Sequence, residues 1–130
     1  MRAPWNMTSS DGRNPVWKVG APHPRGYGSF PRTIRHYVLD QRIVTLPDAI
    51  RSMTTLPAQV YQIKDRGQLR KGFYAGITLF SLDTIQDNAN FDDPWQLSSG
   101  IHSVIVNGEV AWRENQSQKK YGVVLQRQND

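Results

Sequence analysis

Cysteine is absent from the 130 residues. No disulfide framework can staple the fold, and no thiolate can act as metal ligand or nucleophile. Histidine is scarce, with only His23, His36 and His102 present. They lie far apart, and no pair has the spacing that places two imidazoles on one metal, so a complete metal site built from them is not expected. Long apolar runs are also missing. No stretch reaches the ~18 residues needed to span a bilayer, and Arg2 is not followed by an apolar segment of signal-peptide length. The expectation is a chain without a membrane partner and, by default, a cytoplasmic one. Hydrophobic residues make up only 38%, so the core should be thin, or shared with something else.

What is present is a mild excess of positive charge. The net charge is +5, but the basic residues are spread along the chain and Lys119-Lys120 is the tightest cluster. No aromatic-basic strand motif or basic recognition helix is visible, so nucleic acid is not an expected partner and a solvated basic surface is the plainer reading. The length suits one ordinary domain.

Along the chain, "WNMTSS" (5–10) reads as the end of a short strand, and Asp11-Gly12 as a turn, since Asp bonds its own backbone and Gly tolerates positive φ. Arg13 to Pro31 shows no periodicity and reads as a long loop, of the kind that carries function or lacks order. Phe30, Ile34, Tyr37 and Val38 make one apolar stripe and predict a helix. "TLPDAIRSM" predicts another, with Thr45 as cap, Pro47 in the first turn, and Leu46, Ala49, Ile50 and Met53 on one face. Thr55 and Pro57 repeat that start for a third short helix. Beyond Lys64 the pattern turns to β. Ile77 to Phe80 suits a buried strand, Asn107-Gly108 between Ile101–Val106 and Val110–Trp112 predicts a tight hairpin, and "YGVVLQR" suggests a last strand.

The order "SDG", "HPRGYGSFPR", "LPDAIRSMTTLPAQVYQIKDRGQLRKGFYA", "FDDPWQLSSGIHSVIVNGEVAWRENQ" closely resembles the C-terminal part of D-aminoacylases, the N-acyl-D-amino-acid deacylases of the amidohydrolase superfamily. The resemblance implies an α+β fragment: the last β/α unit of a metal-dependent TIM-like (β/α)8 barrel, followed by strands of a small β-sandwich domain. On that reading residues 1–63 close the barrel with its last strand, active-site loop and helices, and residues 64–130 return to the small domain. Gly76 and Ser81 stand where the family commonly has Asp, both in the β tail. The family's histidine and cysteine metal ligands would all lie upstream.

The resemblance assigns Asp11 the role of general base and then acid, at the C-terminal end of the last barrel strand, with a further role beside the metal, whose other ligands this chain lacks. Read without the family, Asp11 in "SSDG" is a turn or cap residue. Arg25 is the candidate for clamping the substrate α-carboxylate, because guanidinium matches a carboxylate bidentately; a solvated surface arginine is the alternative. His23 is a weaker substrate-binding candidate, since "HPR" also serves to fix the loop path. Arg32 suits a salt bridge, Trp95 a loop anchor, and His36 and His102 face solvent in the simplest reading.

The implied function is part of a zinc-dependent hydrolysis of N-acyl-D-amino acids to a carboxylate and a free D-amino acid, with this chain alone inactive. The alternative is a non-catalytic remnant or subunit that pairs with a separate N-terminal chain. An unrelated basic binding module has no motif behind it. Acyl and side-chain preference are not legible.

Overall fold

The computed structural model describes residues 2–13, 16–113, 116–117 and 119–125. Its helices fall in the first half and its strands in the second, in the order the hydrophobic pattern predicts.

The first helix, α1 (Arg25–Arg32), begins earlier than expected. Pro24 holds a helical φ of −51° at its N-terminus, and every early N–H finds an acceptor. Arg25 N–H donates to His23 Nδ1 (3.1 Å), Gly26 N–H to the His23 carbonyl, and those of Tyr27 and Gly28 to the Pro24 carbonyl. The loop expected to run from Arg13 to Pro31 therefore ends at Pro24. The two glycines and the proline that suggested a loop lie inside a helix, because local capping outweighs their poor propensity.

Pro31 sits in that helix without an N–H to offer the Tyr27 carbonyl. Ser98, from the far side of the chain, donates its hydroxyl to that carbonyl at 2.8 Å. Ser98→Ala is expected to cost about 1–2 kcal/mol, the penalty of one unpaired, partly buried acceptor. The check is a lower urea midpoint with an unchanged m-value. Past Pro31 the helix widens into a π-helix over Thr33–Asp40, whose end is marked by the Gln41 N–H reaching back to the His36 carbonyl. Ile34 and Val38 are its buried residues from the predicted stripe. His36, expected to face solvent, is half-buried and packs edge-on against Tyr37.

Helix α2 (Leu46–Met53) is capped as predicted: the Thr45 hydroxyl accepts the Asp48 N–H and donates to the Asp48 carboxylate. Helix α3 (Thr55–Val60) follows at once. Thr55 does not cap it; the residue lies inside the first turn and its hydroxyl donates to the Gly67 carbonyl at 2.7 Å.

Residues 5–10 form no strand, contrary to expectation. An extended segment becomes a strand only by laddering with a neighbour, and this one lies against α2 instead. Thr8 N–H donates to the Ser52 carbonyl, Arg51 donates to the Pro4 carbonyl, and Arg2 to the Ile43 carbonyl.

Among the described residues four antiparallel strands make one sheet in sequence order: β1 (Ile77–Phe80), β2 (Ile101–Val106), β3 (Glu109–Arg113) and β4 (Gln116–Ser117). The β2–β3 turn is the predicted Asn-Gly pair, with φ of 53° and 88° at Asn107 and Gly108, the geometry of a tight primed turn. Asn107 is held twice, accepting from Arg66 and donating to the Tyr121 carbonyl. Tyr121 to Leu125 form no strand; β4 takes the edge earlier, and Gln126 and Arg127 lie outside the described residues.

The core is thin, as the composition foretells. Among the described residues, Ile34, Val38, Ala49, Leu56, Ala58 and Ile85 are its buried apolar members. The cross-strand row Thr78–Val104–Trp112 faces Phe30, Ile34 and Met53 across an apolar cavity of about 630 Å³. Trp5, Leu79 and Phe91 are largely exposed.

Candidate active site

Two consecutive serines shape the turn that carries the candidate carboxylate. Asp11 N–H donates to Ser9 Oγ (3.3 Å) and Gly12 N–H to Ser10 Oγ (3.1 Å). Asp11 adopts a left-handed φ of 47°, which Asp tolerates better than most residues because its short polar side chain can bond locally. Gly12 then rests on α1 so closely that a β-carbon there would lie 3.1 Å from Gly26 Cα. This close approach of two glycines brings the turn to the start of α1.

The result is an ion pair. Arg25 Nη2 lies 2.9 Å from Asp11 Oδ2, with side-chain exposures of 44% and 83%. At that exposure the pair contributes ~0–1 kcal/mol and is screened by salt; its interest is positional. His23 joins the pair indirectly, through its Nδ1 and the Arg25 N–H. An accepting Nδ1 leaves Nε2 to carry the ring proton of a neutral imidazole. The structure thus brings together all three candidates that the sequence singles out, with Arg25 on a helix rather than in a loop.

The β1–β2 connection supplies the part of this face that the sequence did not announce. Residues 81–100 fold back as a ribbon joined by the Gln86–Ser99 bridge, with Ile85 fully buried at its base. Its tip reaches α1. Trp95 packs against Trp17 and Tyr27, with centroids 5.6 and 5.9 Å apart, so Trp95 anchors a crossing as expected. Phe91 meets the His23 ring edge-on at 5.0 Å. The one hint in the sequence is "NANFDDPW", where turn-forming Asn and Asp flank isolated aromatics.

Arg32 makes its expected salt bridge, to Asp87 at 2.9 Å. The hydrogen bond to Asp87, outweighing the opposing effect of burial, raises the guanidinium above its ordinary pKa, so Arg32 stays cationic. A β-carbon on Gly28 would lie 3.0 Å from Asp87 Cβ, which shows how closely the ribbon approaches α1. His102 is exposed on β2, as expected. Among the described residues no three His, Asp or Glu side chains gather around one point. The described residues do not by themselves offer the three-ligand set that zinc takes. No helix among them is long and apolar enough to cross a membrane.

The chain is similar to known proteins in both sequence and structure. The amidohydrolase family matches residues 1–111. The N-acyl-D-glutamate deacylase of Alcaligenes xylosoxydans xylosoxydans is 40% identical over 121 residues, 93% of this chain and 24% of that protein. A crystal structure of D-aminoacylase, described as defining a novel subset of amidohydrolases, superposes with a TM-score of 0.86 at 38% identity, over 93% of this chain and 25% of that one. The N-acyl-D-glutamate deacylase of Bordetella bronchiseptica was solved with zinc and a phosphonate mimic of the tetrahedral intermediate. It superposes with a TM-score of 0.79 at 40% identity, over 85% of this chain and 23% of that one. The chain spans about a fifth to a quarter of the length of the curated relatives it matches.

Proposed function

Because this chain belongs to the amidohydrolase family, we propose that it serves in a zinc-dependent deacylase that hydrolyses N-acyl-D-amino acids to a carboxylate and a free D-amino acid. The observation that supports this most directly is the Asp11–Arg25 pair at 2.9 Å, set by a turn that Gly12 and Gly26 draw against α1.

In this reading residues 1–63 end the barrel and residues 64–130 belong to the small β domain. Trp5 to Ser10 become the last barrel strand once neighbouring strands ladder with them. The exposed Trp5 and the apolar cavity beside Phe30 suit burial against further barrel sequence, on the same polypeptide or on a separate chain.

Zinc, held by ligands outside this chain, would supply the charge that polarises the amide carbonyl. The residues of this chain handle the proton and the substrate. Asp11 takes a proton from the attacking water and returns it to the departing amine nitrogen, as base and then acid. Arg25 receives the substrate α-carboxylate through two parallel hydrogen bonds. In the absence of substrate its guanidinium is occupied by Asp11, so a substrate carboxylate displaces one anion with another and frees Asp11 for the proton. His23 holds the backbone from which Arg25 projects.

Two preparations test the proposal. The chain alone, with added zinc, is expected to release no D-amino acid from N-acetyl-D-glutamate. A chimera in which it replaces the matching stretch of the Alcaligenes N-acyl-D-glutamate deacylase is expected to turn that substrate over. Turnover by the isolated chain, or a folded, zinc-loaded chimera with none, would overturn it.

A further inference from the structure

We infer that Phe91 is a positioning residue for Arg25, acting through His23; its kinetic consequence rests on the function proposed above. Phe91 is 80% exposed, so core packing does not explain where its ring stands. A rigid loop does. Asn90 Oδ1 accepts the N–H groups of both Asp92 and Asp93, and Asn90 N–H donates to the Asp93 carbonyl, closing a tight turn around Phe91. Pro94 follows, and Trp95 is locked between Trp17 and Tyr27. The loop can therefore hold an aromatic ring in open solvent at a fixed place.

That place is the edge of His23, at 5.0 Å and an interplanar angle of 71°. His23 is itself exposed, and its Nδ1 must point at the Arg25 N–H to accept it. An exposed imidazole free about χ1 and χ2 spends only part of its time in that orientation. The Phe91 ring removes alternatives. With Nδ1 in place the first N–H of α1 is satisfied, the helix start does not fray, and the guanidinium leaves its backbone in a constant direction toward Asp11. Without it, the Arg25 N–H loses its acceptor and Arg25 loses its fixed base.

The first test needs no activity. In the 130-residue chain, nitrogen NMR reads the His23 tautomer and the scalar coupling across the Arg25 N–H···Nδ1 bond. The coupling is expected at full size in the parent, weakened in proportion to a shift of about two- to tenfold in Phe91→Ala and restored in Phe91→Tyr. An undiminished coupling in Phe91→Ala overturns the inference. The second test uses the chimeric deacylase. An edge-to-face contact of this kind corresponds to about a two- to tenfold effect on an equilibrium, so Phe91→Ala should raise KM by that factor with kcat within about twofold, and Phe91→Tyr should recover it. An unchanged KM in an active chimera overturns the positioning role. A chimera inactive before any change at Phe91 counts against the proposed function, while the NMR result for Phe91 stands independently.

Discussion

Asp11→Asn in the chimeric deacylase is expected to lower kcat by about 10²- to 10⁴-fold, the range over which a placed proton carrier accelerates a reaction. The amide has the shape of the carboxylate and can still accept from Arg25, but it cannot take a proton. Stability should barely respond, because the Asp11–Arg25 pair is exposed, at 83% and 44%, and such pairs contribute ~0–1 kcal/mol. KM should not rise, since Asn competes with the substrate carboxylate for Arg25 less strongly than Asp does. Steady-state kinetics and a thermal melt of the same preparation separate these effects. A kcat within about threefold of the parent would return Asp11 to the plain turn residue that "SSDG" suggests on its own.

The largest structural effect should come from Gly100→Ala. Gly100 holds a φ of +78°, and a β-carbon there would lie 2.4 Å from the backbone nitrogen of Ile85 and from the carbonyl carbon of Thr84. Those are main-chain atoms beside Ile85, the most buried large side chain among the described residues, so no side-chain rotation relieves the clash. The left-handed backbone adds its own cost for any residue with a β-carbon. Together these should exceed about 3 kcal/mol, enough to lower the melting midpoint by roughly 10 °C or more. Gly76→Ala is the control, because a β-carbon there meets nothing within 4 Å. Equal melting of the two variants would mean that the ribbon shifts freely around Ile85.

The sequence was most readable where a residue acts on its immediate neighbours. Thr45, Pro47 and Asp48 start a helix by bonding within one turn, and Asn107-Gly108 makes its hairpin by backbone conformation alone. It was least readable where a local deficit is made good from a distance. Pro31 argues for a loop until Ser98 gives the Tyr27 carbonyl, 71 positions away, the hydrogen bond that Pro31 cannot. Trp5 to Ser10 have a strand's composition, but strand formation depends on a partner, and here their partner is α2. The candidate site divides in the same way. The motif order singled out Asp11, Arg25 and His23, whereas Phe91 joins them only through the folding of residues 81–100, which no periodicity describes.

The bonds that tie that ribbon to α1 also set an order of events in time. The helices between Arg25 and Val60 and the β2–β3 hairpin close over short stretches of chain, and such contacts form early. The Ser98–Tyr27 and Arg32–Asp87 bonds span 71 and 55 positions, so the entropy of closing a long loop must be met before either forms. The ribbon is therefore expected to dock after the elements it joins. Asp11, Arg25 and His23 are neighbours as soon as α1 and its preceding turn exist, but their face is complete only when this last-arriving segment is seated.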